Sequence, residues 1–172
     1  MITDVKWVRY SWDLNTANVT LEAPVGYIFN SASSDEEQAV LKIVMSAYGS
    51  DPIWQPMMMD IQNRMADRIR TTLAMDGSDY LVARSGGEIV GVSGVAKEHW
   101  TDQNLLTGIC VSPEHQRKGL GRYLLGLSLI RLKEMGMRTA QVYTESGSLA
   151  DMKIYPIFGS RREEAVRYPG AA

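Results

Sequence analysis

Apolar positions change their spacing along the chain, and the changes mark out its elements. Val5–Trp12 is rich in β-branched and aromatic residues and reads as a strand. Asp13-Leu14-Asn15 reads as a turn, and Asn18–Glu22 and Tyr27–Asn30 as further short strands. The period then becomes helical. Ser34 and Glu37 have capping-box spacing, and Val40, Leu41, Val44, Met45 and Ala47 form a stripe that stops before Gly49. A second helix is predicted from about Pro56 to Met75, with Met58, Ile61, Met65, Ile69 and Leu73 on one face. Tyr80–Arg84 and Glu88–Val95 flank Ser85-Gly86-Gly87 and predict a hairpin. Leu105–Val111 is a third apolar run. After it come a helix from Gly119 to about Met135 closed by Gly136, a strand Arg138–Thr144, a short helix Ser148–Phe158 and a last strand Arg161–Tyr168. Strands at both ends with helices between them predict a mixed α/β sheet in one domain, residues 1–172, with 1–23 as an N-terminal strand extension to a 24–172 core.

Composition narrows the function. The 172 residues carry 18 Lys+Arg against 20 Asp+Glu, a formal charge of −2, which argues against a broad polyanion-binding surface such as a nucleic-acid binder needs. The single cysteine, Cys110, cannot form an internal disulfide. No apolar run approaches the roughly 20 residues of a membrane span, and the first residues do not read as a signal peptide, so a soluble cytoplasmic chain with no membrane partner is expected. No metal-ligand cluster is expected either. The ten methionines against two phenylalanines remain unexplained by composition alone.

Chemistry concentrates in Ile109-Cys110-Val111-Ser112-Pro113-Glu114-His115-Gln116-Arg117-Lys118-Gly119-Leu120-Gly121-Arg122. A helix start ordinarily attracts acidic residues, because its free N–H groups carry partial positive charge. Here Arg117, Lys118 and Arg122 crowd that end instead. Cations placed there cost stability unless something negative sits among them, and the glycines allow backbone N–H groups to approach it. The residues therefore describe an anion site suited to a phosphate or pyrophosphate, against the plainer reading of a basic surface loop. A Walker loop fails, since Lys118 precedes Gly119. The dinucleotide fingerprint fails too, since Leu124 stands where its third glycine belongs.

Gln116-x-x-Gly119-x-Gly121, entered from a strand that ends Val111-Ser112-Pro113, resembles the acyl-CoA loop of the GNAT acetyltransferase superfamily. The resemblance extends over roughly Glu88 to Gly159. It implies acetyl-CoA as co-substrate, its pyrophosphate held by the backbone of Arg117, Lys118, Gly119, Leu120, Gly121 and Arg122 with Gln116 at the entrance. The pantetheine arm would lie along Ile109, Cys110 and Val111. Tyr155, four residues before Gly159, matches the family's tyrosine beside the CoA sulfur, in the role of proton donor to the thiolate. Ser148 stands where the family usually has Asn, as a pantetheine contact, and Asp151 where it usually has Ala. Pro156 implies a bent or ended helix. The family reading further implies transfer to a primary amine of a small molecule or peptide, and homodimers are common among relatives.

Deprotonating that amine calls for a base. Glu98 is the first choice, with His99, Asp102 and Glu145 as other candidates. The loop between the first two helices should form the acceptor surface, with Tyr48, Asp51, Trp54 and Gln55 in reach and Met57–Met59 behind. Cys110 in an apolar strand reads as a packed side chain, which favours direct transfer over an acyl-enzyme. A non-catalytic acyl-CoA-binding module and a nucleotide-phosphate binder are the competing readings.

Overall fold

A computed structural model describes residues 6–100 and 103–167, apart from the side chains at positions 98–100 and 165. In chain order the elements are β1 (Trp7–Asp13), β2 (Ile28–Ser31), α1 (Glu37–Gly49), α2 (Met58–Ala74), β3 (Ser78–Ser85), β4 (Glu88–Trp100), β5 (Gln103–Val111), α3 (Leu120–Glu134), β6 (Thr139–Glu145) and β7 (Arg161–Val166). The mixed α/β class holds, and every strand pairing is antiparallel. The strands divide into two sheets ordered β2-β3-β4-β5 and β6-β1-β7. The first strand is therefore the centre of its sheet. Trp7 pairs across to Glu145 on one side and Val166 on the other.

One apolar cluster joins β1, β6 and α3, and the other lies under α1 and α2. Helix α3 buries Leu120, Leu124, Leu125, Leu129 and Leu132, each worth about 2 kcal/mol of transfer free energy when fully covered. On the other face, Val40, Ile43 and Val44 of α1 pack with Ile61, Met65 and Ile69 of α2.

Several boundaries differ from the sequence expectation for local reasons. Residues 18–22 form no strand; Val19 and Leu21 instead pack against the core beside α3. The cap of the first helical segment lies one residue earlier than expected. Ser33 N–H donates to Glu36 Oε1 at 3.0 Å, and Glu36 is held in turn by Arg84. Helix α2 opens at Met58 because Pro52 and Pro56 keep residues 52–57 in a 3-10 turn, started by Asp51 accepting from the Ile53 N–H. The expected helix Ser148–Phe158 shrinks to one wide turn, Ala150–Ile154, in which Tyr155 N–H reaches back five residues to the Ala150 carbonyl at 3.0 Å. Pro156, lacking an N–H, cannot continue it. The strand expected to reach Tyr168 is β7, and Tyr168 lies outside the described residues. Among the described residues, no helix is long and apolar enough to cross a membrane.

Candidate active site

Strands β5 and β6 lie at the facing edges of the two sheets and share no backbone ladder. At their starts a side chain joins them. The fully buried Asn104 of β5 donates to the Thr139 carbonyl at 2.8 Å and accepts from the Gln141 N–H at 2.9 Å. Three residues further on, β5 breaks its own register. Ser93 pairs with Ile109 while its neighbour Gly94 pairs with Leu106, so Thr107 and Gly108 form a two-residue bulge. Both take left-handed backbone, at φ 52° and 77°. Glycine is required at the second position, where a Cβ would stand 2.8 Å from the Tyr155 hydroxyl. A β-branched residue at the first is strained, and Tyr48 pins it by donating to the Thr107 carbonyl at 2.9 Å.

Beyond the bulge a cavity of about 310 Å³ opens between the carboxyl ends of β5 and β6. Its walls include Ile109, Cys110 and Val111, then Gln116, Arg117, Gly119, Leu120, Gly121 and Arg122, and Tyr155 on the far side. These expected site residues thus meet in one space. Lys118 is exposed beside it and does not line it. Gln116 fixes the loop to the strand end by donating to the Val111 carbonyl at 3.0 Å. Arg117 and Gly119 adopt left-handed backbone at φ 64° and 85°. Alternating conformations of this kind turn successive N–H groups toward one concavity. No side chain caps α3, and its first turn holds no acidic residue. The first turn of N–H groups, at Leu120, Gly121 and Arg122, therefore remains available to an anion.

Tyr155 is buried against Tyr10 and Trp12 at ring separations of 5.5 and 6.0 Å. Its hydroxyl accepts from the Ile109 N–H at 3.3 Å, so it points at the bulge. Burial pushes this phenol well above its ordinary range and keeps it protonated. The turn carrying it is anchored by Asp151. That carboxylate accepts from Arg162 at 2.8 and 2.9 Å, from the Tyr10 hydroxyl at 2.6 Å and from the Gly147 N–H at 2.8 Å. Arg162 above all lowers its pKa to about 2. The residue that departs from the family pattern thus holds the Tyr155 turn in place. Ser148 lies off the cavity, fully buried, bonded to Thr144 Oγ1 at 2.8 Å and receiving the Asp151 N–H.

Of the expected acceptor-side residues, Tyr48, Asp51 and Trp54 line the cavity, whereas Gln55 turns away to the Gly49 carbonyl. Asp51 is spent on structure, accepting from the Leu149 and Ile53 N–H groups. Met57 is buried and Met59 is 80% exposed, and neither borders the cavity. The Cys110 thiol is pushed up to about 12 by burial, which leaves no thiolate for covalent chemistry at neutral pH. The side chains of Glu98 and His99, and all of Asp102, lie outside the described residues. Glu145, at the end of β6, keeps Oε2 buried with no hydrogen-bond partner among the described residues. Burial, and then the nearby Asp51 charge, raise its pKa. Tyr143, two residues earlier on the same face, was not anticipated; only the alternation along β6 hints that it points with Glu145.

The sequence model described as Acetyltransferase (GNAT) family matches residues 38–159. A mycothiol acetyltransferase of Streptomyces bingchenggensis is 27% identical over 128 residues, which is 70% of this chain and 38% of that protein. The chain spans about two fifths of the length of the curated relatives it matches. A GCN5-related N-acetyltransferase from Kribbella flavida has the same fold at TM-score 0.58 and 16% identity, covering 94% of this chain and 56% of its own. PaiA N-acetyltransferase from Thermoplasma acidophilum, solved with coenzyme A, matches at TM-score 0.52 and 11% identity over 64% of this chain and 74% of its own.

Proposed function

Because the chain belongs to the GNAT acetyltransferase family, we propose that it transfers an acetyl group from acetyl-CoA directly to a primary amine of a small molecule or peptide. One observation carries the reading: the uncapped start of α3, the free edge of β5 and the Tyr155 hydroxyl all face a single cavity. The residues fit the co-substrate. The backbone of residues 117–122 would hold the pyrophosphate, with Arg117 and Arg122 adding charge, and the edge at Ile109–Val111 would receive the amides of the pantetheine arm. Acetyl-CoA supplies an activated thioester carbonyl.

The protein's own groups manage the protons. The acceptor arrives as an ammonium, since alkyl amines titrate near pH 10. Glu145 is the base we favour over Glu98: it is half-buried, its Oε2 is buried with no hydrogen-bond partner among the described residues, and its pKa is raised. Once neutral, the amine nitrogen forms the new C–N bond, the C–S electron pair leaves on sulfur, and the proton shed by nitrogen balances the thiolate. Tyr155, protonated across the working range, donates its O–H toward that sulfur. Cys110 takes no part.

Thiol release from acetyl-CoA across an amine panel tests the reading. Turnover with intersecting double-reciprocal lines is expected; parallel lines would mean an acyl-enzyme. Glu145→Gln should remove the acidic limb of the kcat/KM profile, and Tyr155→Phe should lower turnover on the order of 100-fold with CoA affinity retained. CoA binding without turnover of any amine would leave a binding module. A larger thermal shift with ATP than with CoA would end the acyl-CoA assignment.

A further inference from the structure

A second, smaller chamber of about 60 Å³ lies on the other side of the bulge from the large cavity. The two spaces share Tyr48, Trp54, Thr107, Gly108 and Tyr143, so a molecule seated in the small chamber adjoins the space that Tyr155 and the bulge border. Its walls are aromatic. Trp7 and Trp54 stand 6.0 Å apart between ring centres, and Tyr48 meets Trp54 edge-on at 5.0 Å. Trp7, which lines this chamber, is register partner to Glu145, which itself borders neither space.

The outer wall has a different character. Arg64 and Arg68, one turn apart on α2, both line it, and neither has an ion-pair partner among the described residues. On the same helix, Arg70 is paired with Glu37. An aromatic chamber alone would suit any cationic or apolar amine. Two guanidinium groups at its rim repel a plain diamine and match the planar oxygens of an oxyanion. From the bulge outward the order is thus acyl-transfer point, aromatic wall, cationic rim.

We propose that this chamber selects an oxyanion-bearing primary amine as acceptor. The amine would sit in the aromatic part and the carboxylate or phosphate at Arg64 and Arg68. The inference rests on the acetyltransferase reading above and names the substrate class of that site. Thr107 stands at the junction between the two spaces.

The test measures thiol release from acetyl-CoA with free amino acids, their carboxamides, phosphoethanolamine and simple diamines. The expected result is that one or more oxyanion-bearing amines exceed the matching carboxamide or diamine at least tenfold in kcat/KM. Preference for the amino acids indicates a carboxylate source and preference for phosphoethanolamine a phosphate source. Arg64→Ala and Arg68→Ala should collapse that ratio toward one, chiefly through KM, and Arg68→Lys should restore part of it. Carboxamides or diamines used as well as the acids would overturn the inference and leave the acetyltransferase reading intact. So would an unchanged ratio in both variants, or turnover of other amines with no oxyanion-bearing amine accepted. Failure to bind CoA would instead overturn the underlying reading.

Discussion

The two ends of the β5–β6 seam are built from neighbouring residues and behave in opposite ways. At the closed end, one buried carboxamide, Asn104, supplies the two hydrogen bonds that a backbone ladder would otherwise make. At the open end, two left-handed residues push β5 out of register and leave its edge to Tyr155 and Gln116. An edge strand normally invites pairing. Here pairing is satisfied by a side chain where the sheets hold together and withheld where the cavity opens. A cleft between two sheets therefore needs a stitch as much as it needs a gap.

Substitutions at each end should separate the two roles. The largest effect is expected from Gly108→Val, which drives a branched side chain into the Tyr155 hydroxyl at a backbone angle valine resists. Turnover should fall by roughly 1,000-fold, combining a displaced proton donor with a distorted bulge; near-normal turnover would show that the bulge does not aim Tyr155. Asn104→Ala should act on stability instead. It leaves a buried carbonyl and N–H without partners at a cost of roughly 3 kcal/mol, read from the urea midpoint. A loss of CoA affinity with stability unchanged would reverse the roles assigned to the two ends.

Acid should loosen the Tyr155 turn at the open end and, elsewhere, the start of the first helix. Asp151 and Glu36 are both held at about 2 in the folded chain, by Arg162 and Arg84 first. Carboxyl groups lowered on folding contribute stability that is complete above their unfolded values and is lost as pH falls through about 2. Asp151→Asn should therefore cost about 2 kcal/mol at pH 7, and its difference from the parent should vanish near pH 2; a constant gap across that window would mean that charge is not what Asp151 provides. The smallest effect is expected from Thr107→Gly. Relief of the strained backbone is worth about 1 kcal/mol, offset in part by the greater freedom of unfolded glycine. A rise in melting temperature with lower turnover would identify Thr107 as a place where strain serves the site.

What the sequence made legible follows from how local each cause is. The Gly86-Gly87 hairpin, the helix α3 that stops before Gly136 and the glycine-basic loop are written within a few residues, and each stands where its pattern indicated. The bulge was hidden inside an apolar run because Thr107-Gly108 looks like any strand pair until its partner strand is known. Asn104, Glu145 and the Asp151–Arg162 pair gain meaning only from neighbours distant in the chain. Asp151 read as a departure from a pattern because its arginine is supplied by β7.

The central place of β1 sets the order in which the molecule can mature. Its nearest partner in the chain is Thr139, 126 positions after the Asp13 it faces (139 − 13), and its partners extend to Val166, while Tyr10 and Trp12 form the bed on which Tyr155 lies. Contacts this remote are slow to close, because the loop between them must be ordered first. The glycine-rich anion loop can be assembled by its immediate neighbours. Tyr155, the proposed proton donor, cannot be seated until β1 is captured between β6 and β7. During refolding, recovery of CoA binding should therefore precede recovery of turnover, and the lag between them times the docking of a single strand.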